Sequence, residues 1–220
     1  MEGGERLRPK VIVNVAMSAD GKIALPDRTE VKISGEEDFR RVHELRDRVD
    51  AILVGIGTVL ADDPKLTVKE EYVEDPDHPL KVILDSERRT PEDAQLFNKG
   101  DWLIATSEET DKEGWIRCGD GEQVDISLLM KRLEERGIEK LLVEGGGEVI
   151  SSFFEEGLVD ELTVFVGSLI IGGREAPTPV DGEGAYERNE TIDLEFVGHE
   201  YMDDGILLKY RVDGDDEISR

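Results

Sequence analysis

The sequence lacks the features that mark secreted and membrane-spanning proteins. It contains a single cysteine, Cys118, so no disulfide can form within the chain and no cysteine-based zinc site can be built. No apolar run approaches the roughly 18 residues of a membrane span. The polar start, residues 1–8, has no apolar core of a signal peptide. We therefore expect a cytoplasmic protein.

Basic residues are also scarce. Lysine and arginine number 27 against 53 aspartates and glutamates, which gives a formal net charge of −26. Such a field repels nucleic acid and anionic membranes, and we expect neither as a partner. It repels a nucleotide phosphate too, so a phosphate site must be built from local cations and backbone amides. Two explanations of the acidity stay open, adaptation to high salt and a glutamate-rich, heat-adapted surface.

Short apolar strands alternate with helices along the 220 residues. The runs that predict strands are 11–17, 51–54, 82–84, 103–105, 141–143 and 162–166. Helical spacing of apolar residues marks 35–49, with Phe39, Val42, Leu45 and Val49 as its buried face, and also 126–133 and 149–154.

This alternation predicts an α/β fold with a mostly parallel central sheet and helices on both faces. Two C-terminal strands, 194–197 and 206–212, are joined by a turn at 203–205 and predict an antiparallel pair. We predict a single domain over residues 1–212. The acidic tail, 213–220, is predicted to be disordered.

A glycine-rich loop lies between a predicted strand and a predicted helix. It reads Glu144-Gly145-Gly146-Gly147, and glycines let backbone N–H groups approach a phosphate at a helix N-terminus. The spacing matches neither the dinucleotide fingerprint nor a P-loop. A tight turn that simply needs glycine explains the same residues, so both interpretations stay open.

A second polar cluster follows the strand at 82–84. Asp85 and Ser86 precede two arginines, Arg88 and Arg89. A hydroxyl and two arginines at the carboxyl end of a strand suit an adenosine 2′-phosphate, which favours NADPH over NADH. The alternative is a solvated loop.

Other polar residues gather at 54–69 and in the Asp20-Gly21-Lys22 turn. Residues 54–69 fit either a functional site or the start of a helix with acidic residues in its first turns. Lys22 is either a site residue or an ordinary surface lysine. The three histidines, His43, His78 and His199, are scattered with no pair at ligand spacing. We therefore expect no metal site, and we interpret His43, beside a helix core face, as structural.

Taken in order, these motifs resemble a known family. They are Asn14–Lys22, Leu45-Arg46, Gly57–Val68, Leu84–Ser86, Glu144–Gly147, Gly157–Glu161 and Gly172-Gly173 with Ala176-Pro177. As a set they resemble the reductases of riboflavin biosynthesis, the family of the C-terminal domain of the bifunctional deaminase-reductase. The resemblance covers roughly residues 8–212. The zinc-deaminase signatures H-x-E and P-C-x-x-C are lacking in the sequence, so the chain is similar to the stand-alone archaeal and fungal enzymes.

The resemblance implies a dihydrofolate-reductase-like fold, a homodimer and a defined reaction. The implied substrate is 2,5-diamino-6-ribosylamino-4(3H)-pyrimidinone 5′-phosphate, and the implied product is its ribitylamino counterpart. NADPH would deliver a hydride to ribose C1′, with NADH possible as well. A reductase of another pteridine or pyrimidine, and a non-catalytic NADPH-binding module, are the alternatives.

The resemblance also carries roles to individual residues. The implied cofactor contacts are Thr58, Asp62, Asp85, Ser86, Gly145, Gly146, Gly147 and Glu148. We add Arg88, because an arginine at this strand end suits the adenosine 2′-phosphate. The implied substrate contacts are Lys22, Ser34, Arg46, Lys69 and Glu144. Lys69 stands where some relatives have a phosphate-binding arginine, and it lacks the bidentate fork. Glu148 is a departure, because a carboxylate beside a diphosphate is unfavourable unless it points away. No catalytic residue is assigned.

Overall fold

The computed structural model describes residues 8–212, and within this range the chain forms nine strands and four α-helices. The strands are β1 (Lys10–Ser18), β2 (Ala51–Gly55), β3 (Leu80–Leu84), β4 (Trp102–Thr106), β5 (Trp115–Arg117), β6 (Lys140–Gly145), β7 (Glu161–Gly167), β8 (Leu194–Met202) and β9 (Gly205–Val212). The helices are α1 (Glu36–Arg46), α2 (Ile56–Asp62), α3 (Ile126–Glu134) and α4 (Gly147–Glu155). None of these helices is long and apolar enough to cross a bilayer. The predicted disordered tail, 213–220, lies outside the described residues.

The chain divides into two compact units. The first contains the residues up to Lys10 together with Arg41–Val143, and the second contains Val11–Arg40 and the residues from Glu144 onward. Each is described in turn.

In the first unit the strands lie in the order β5-β4-β3-β2-β6. The pairs β2–β3, β3–β4 and β4–β5 are parallel. Every residue of β2 is buried, as expected for a continuous apolar run in a parallel sheet. The carboxyl ends of the parallel strands β2 to β5 therefore meet at one edge, and the residues that follow them lie close together.

In the second unit β1 pairs in parallel with β7, and β7 and β8 each pair antiparallel with β9. Ile33, Phe165 and Leu207 form a buried cluster. The register of β8 shifts between Phe196 and Gly198. β8 is the last strand in the order β1-β7-β9-β8, so one of its edges is unpaired among the described strands.

These elements confirm the predicted α/β class, with mostly parallel strands and an antiparallel C-terminal pair. β8 is longer than the predicted strand at 194–197, because it continues to Met202. α2 and β5 were not among the predicted elements. β5 has only three residues, too few to show a periodic pattern.

The predicted buried face of α1 is wrong at Phe39. The Phe39 side chain is 38% exposed, whereas Asp38 and His43 of the same helix are buried. Both buried side chains belong to polar residues with interactions of their own, which the apolar pattern does not register.

Lys81, the second residue of β3, is a buried charged residue. Its ammonium group donates a hydrogen bond to the Leu96 carbonyl at 2.5 Å and another to the Lys99 carbonyl. Burial lowers the pKa of Lys81, and the Asp101 carboxylate opposes that shift. The lysine therefore satisfies one carbonyl within the 3₁₀ helix at Gln95–Phe97 and one just after it.

Candidate functional site

Asp85 holds the turn that follows β3 in the first unit. Its side chain is fully buried. The carboxylate accepts hydrogen bonds from the Arg89 N–H at 2.9 Å and from the Thr90 N–H and hydroxyl at 2.7 and 2.6 Å. These bonds close the turn that carries Ser86 and Arg88. Asp85 is thus a positioning residue for its neighbours, and a direct contact to the cofactor stays a prediction.

Ser86 is tied to the end of β4. Its carbonyl oxygen accepts from the Thr106 and Ser107 hydroxyls at 3.1 and 3.3 Å. The Ser86 hydroxyl oxygen accepts from the Val124 N–H at 3.1 Å. Because a hydroxyl can donate and accept at once, Ser86 is also able to donate to an acceptor such as a phosphate oxygen.

Arginines surround this turn and pair with exposed carboxylates. Arg88 Nε lies 3.4 Å from Glu108 Oε2. Arg117, at the end of β5, donates to the Ser107 carbonyl at 3.3 Å and pairs with Glu109 at 3.6 Å. Exposed ion pairs of this kind are weak, so an incoming phosphate can replace the carboxylates.

Thr58 and Asp62 share α2, which starts directly after β2. Gly55 is the N-cap residue of α2, and no side chain caps this helix. A Cβ placed on the exposed Gly57 would meet nothing within 4 Å. The backbone at Gly57, beside Thr58, therefore faces open space where a Cβ would lie.

Arg46 and Lys69, both predicted phosphate cations, are held by neighbouring contacts in the first unit. Arg46 Nη1 donates to the Thr67 carbonyl at 3.2 Å. The Lys69 N–H donates to His43 Nδ1 at 3.3 Å. The Lys69 ammonium pairs with Glu71 at 3.2 Å. The structure thus brings Arg46 and Lys69 to one segment, 67–71.

In the second unit Asp20 fixes the turn that carries Lys22. Its carboxylate accepts from the Ser18 hydroxyl at 2.6 Å and from the N–H groups of residues 171 and 172 at 3.1 and 2.7 Å. The Ser18 bond, followed by these backbone donors, lowers the pKa of Asp20 to about 2. Lys22 Nζ donates to the Ala176 carbonyl at 3.0 Å. The turn and the 169–177 loop therefore form one hydrogen-bonded layer.

The glycine-rich loop leads directly into α4, as predicted. Gly146 is the N-cap residue and no side chain caps the helix; the Gly145–Gly146 peptide bond is cis. A Cβ at Gly147 would lie 2.4 Å from Asp181 Oδ2 and 2.5 Å from the Thr178 carbonyl, so only glycine fits beneath the 178–181 segment. Glu148 is exposed in the first turn of α4.

Ser34 precedes α1, and the turn between β8 and β9 holds this segment. The Asp203 carboxylate accepts from the N–H groups of Gly35, Glu37 and Asp38 at 3.2, 3.1 and 3.0 Å. In return the Asp203 N–H donates to Glu37 Oε2 at 2.9 Å. The N-terminus of α1 is therefore capped by a residue distant in sequence.

Several residues around these positions were not predicted from the sequence. They are Thr106, Ser107, Arg117, Thr178, Asp181 and Asp203. Thr106 and Ser107 directly follow the predicted strand 103–105. Polar residues at a strand end indicate a site, so the sequence does contain a signal for these two. The Asp181 carboxylate accepts from the N–H and hydroxyl of Thr178, three residues earlier, at 3.0 and 2.6 Å. Asp203 acts through contacts distant in sequence, for which the sequence has no local signal.

Cys118 is buried and reduced, and burial raises the pKa of its thiol to about 11. A thiol with so high a pKa is a poor nucleophile at neutral pH. Within residues 8–212, no group of three or more His, Cys, Asp or Glu side chains is arranged to hold a metal ion.

The chain matches the family model of the RibD C-terminal domain over residues 9–208. It is 43% identical to the 2,5-diamino-6-ribosylamino-4(3H)-pyrimidinone 5′-phosphate reductase of Methanothermobacter thermautotrophicus, over 94% of this chain and 100% of that protein. A reductase of the same name from Archaeoglobus fulgidus is 41% identical, over 87% of this chain and 95% of the relative.

Solved structures of riboflavin biosynthesis proteins share the fold of this chain. A deaminase/reductase from Thermotoga maritima aligns with a TM-score of 0.79 and 27% identity, over 94% of this chain. The chain spans 57% of the length of that bifunctional protein. The riboflavin biosynthesis reductase of Saccharomyces cerevisiae, at 24% identity, shows a shared fold with a TM-score of 0.76 over 96% of this chain and 93% of the yeast protein. The chain belongs to the family of the RibD C-terminal domain.

Proposed function

We propose that this chain reduces 2,5-diamino-6-ribosylamino-4(3H)-pyrimidinone 5′-phosphate with NADPH and releases the ribitylamino product. The observation that carries the proposal is the 43% identity to an archaeal reductase of that name, over 94% of this chain and the whole of that protein. An identity that extends from end to end supports a common reaction as well as a common fold.

The described residues fit a dinucleotide phosphate. In the second unit, α4 begins at the N-cap Gly146, a glycine that has no side chain to bond the N–H groups of the first turn. These groups and the helix dipole suit a diphosphate, so we propose that Gly145, Gly146 and Gly147 hold it. Glu148 lies in the same turn, and a diphosphate there requires its exposed carboxylate to face solvent.

The turn after β3 supports NADPH over NADH. Ser86 can donate a hydroxyl hydrogen, and Arg88 offers a guanidinium that pairs with the exposed Glu108. We propose that both bind the adenosine 2′-phosphate, which NADH lacks. Thr58 and Asp62 on α2, and Asp85 through this turn, complete the proposed cofactor residues in the first unit.

The substrate carries a phosphate and a pyrimidine with amino groups. We propose Arg46 and Lys69 of the first unit as cations for the 5′-phosphate. In the second unit we propose that Lys22 and Ser34 contact the substrate. The Glu144 carboxylate is suited to accept hydrogens from the pyrimidine amino groups.

When bound, NADPH would supply a hydride for C1′ of the ribosyl group, in the ring-opened imine form of the substrate. The imine nitrogen takes up a proton, so that a secondary amine results. No protein nucleophile is needed for this reaction. The part of this chain is to orient the two ligands and to hold their phosphates.

A variant of the loop tests the cofactor site. Gly146→Asp places a carboxylate at the N-cap of α4, and we expect NADPH affinity to fall by at least about tenfold, since like charges repel at close range. Ser152→Asp, farther along the same helix, adds the same charge as a control. Isothermal titration with NADPH measures both, and equal affinities in the two variants would remove the loop from the site.

We also propose a homodimer, with a second copy of this chain covering β8. Phe196 and Val197 are each 55% exposed and Tyr201 is 81% exposed, on an edge strand of nine residues. Exposed apolar side chains on an unpaired edge strand are typical of a strand that pairs with the same strand of a second copy. Light scattering of Phe196→Lys should give a monomer mass; an unchanged dimer would contradict this placement.

A further inference from the structure

A ring stack lies beside the two cations that we propose for the substrate phosphate. His43 of α1 is 5% exposed, and its ring stacks on Tyr72 with a centroid distance of 5.0 Å and an interplanar angle of 16°. The same imidazole accepts the Lys69 N–H at Nδ1, at 3.3 Å. One buried side chain therefore contacts both ends of the short segment from Lys69 to Tyr72.

That segment is a tight turn. The N–H groups of Tyr72 and Val73 both donate to the Lys69 carbonyl, at 3.0 and 3.2 Å. The turn folds the Tyr72 ring back under the lysine, and Lys69 Nζ lies 5.5 Å from the ring centroid. An ammonium at this distance over an aromatic face is weakly attracted to it. The turn thus restricts where the Lys69 ammonium group lies.

Arg46 holds the preceding residues. It lies three positions after His43 in α1, on the same side of the helix. Its guanidinium donates to the Thr67 carbonyl at 3.2 Å. Two side chains from the last turn of α1 therefore anchor the backbone on either side of Val68, and the anchored segment carries Lys69.

We infer that His43 is a positioning residue for phosphate binding, which it serves by holding the Lys69 backbone against α1 through its Nδ1 atom. The inference rests on the proposed function, because it takes Lys69 as a cation for the substrate 5′-phosphate. An imidazole can accept at Nδ1 only when that nitrogen carries no proton. His43 therefore acts as a neutral ring in this bond and contributes no positive charge to phosphate binding.

Two amide substitutions separate positioning from general packing. The side-chain oxygen of His43→Asn falls where Nδ1 lies, so it can accept the Lys69 N–H; the longer His43→Gln places its amide nearer to the Nε2 position. We expect His43→Gln to raise the KM for the phosphorylated substrate by about three- to tenfold, the range for one lost backbone hydrogen bond. His43→Asn should stay within about twofold of the parent protein.

Other readouts should stay unchanged in His43→Gln if the role is positioning. We expect its kcat, its KM for NADPH and its KM for the dephosphorylated substrate to match those of the parent. Lys69→Met provides the reference for loss of the cation itself. His43→Phe keeps a ring against Tyr72 without an acceptor and should resemble His43→Gln; thermal melting verifies that each variant is folded.

The outcomes are distinguishable. If Lys69→Met raises the KM for the phosphorylated substrate and His43→Gln does not, the positioning role is overturned while the proposed function stands. If His43→Asn and His43→Gln raise that KM equally, packing and not the Nδ1 acceptor is responsible, and the inference fails. If Lys69→Met leaves it unchanged, Lys69 binds no phosphate and the inference fails with it, whereas NADPH oxidation by the parent still supports a reductase.

Discussion

The Lys69 ammonium already has an anionic neighbour. It lies 3.2 Å from Glu71 Oε1, and both side chains are more than half exposed, at 57% and 60%. An exposed pair contributes only about 0.2–1 kcal/mol, yet a substrate phosphate has to compete with it. Glu71 is therefore a candidate for weakening phosphate binding without touching the substrate.

We predict that Glu71→Gln lowers the KM for the phosphorylated substrate by up to about fivefold, the equivalent of one exposed ion pair. Steady-state kinetics at low salt measures it. Glu70→Gln is the matched control, since Glu70 pairs with Lys99 at 3.4 Å and not with Lys69. An equal decrease in both variants would mean that only the net charge matters.

The sequence predicted which polar residues follow a strand, but it did not predict the directions of their side chains. The order Asp85-Ser86 after a strand was enough to predict a polar turn. It did not reveal that the Asp85 carboxylate turns inward to the Arg89 and Thr90 N–H groups. Likewise, the spacing of α1 favoured Phe39 as a core residue, because apolar periodicity gives no weight to a buried histidine such as His43.

Among the elements, the turn between β8 and β9 has the clearest consequence. Asp203 accepts three N–H groups at the start of α1. A Cβ on Gly35 would lie 2.4 Å from its carboxylate, so the fit requires both residues. The hairpin thereby holds the segment that contains Ser34.

We predict that Asp203→Ala lowers the free energy of unfolding by about 1–2 kcal/mol, the range for a lost helix cap. Urea unfolding measures the change. Asp204→Ala is the control, because Asp204 contributes its backbone carbonyl to the Ser168 hydroxyl and the alanine keeps that group. A loss of similar size in both variants would contradict a specific cap.

The hydrogen bonds that the Asp20 carboxylate accepts imply that the stability of the protein depends on pH. The folded pKa of Asp20 is about 2 and its ordinary value is 3.8, so folding favours the charged form. This contribution to stability is complete above the ordinary pKa and is lost as the pH falls through about 4 towards 2. We predict that Asp20→Asn is less stable than the parent at pH 7 and that the difference narrows below pH 4. Thermal melts across this range test it; a constant difference would show that charge is not involved.

Element types were largely predictable, and element lengths were not. β2, β3 and β4 contain the short apolar runs 51–54, 82–84 and 103–105, from which the sequence predicts buried strands. β8 alternates poorly, since its exposed residues include Phe196, Val197 and Tyr201, and so its second half was missed. The end of a strand depends on its pairing with β9, which no local pattern contains.

At the scale of the whole molecule the net charge of −26 is the dominant feature. Like charges repel in the compact state, and salt screens that repulsion. The described ion pairs are mostly exposed, with pairs such as Arg188–Asp193 at 74% and 70%, so their loss to screening costs little.

We predict that the unfolding temperature rises between about 0.1 and 1 M KCl, as the Debye length falls from about 10 to 3 Å. Differential scanning calorimetry measures it. Adaptation to salt predicts a low unfolding temperature in dilute buffer and a large rise. A heat-adapted surface predicts a high starting value that changes little, and a fall with salt would contradict the repulsion argument.

The reaction itself is the most direct test of the central claim. Purified protein, NADPH and 2,5-diamino-6-ribosylamino-4(3H)-pyrimidinone 5′-phosphate are mixed, and the absorbance of the reduced nicotinamide is followed while the product is identified by mass. We predict loss of one NADPH for each substrate, with a product heavier by one hydride and one proton. No oxidation of NADPH or NADH in the presence of this substrate would contradict the account.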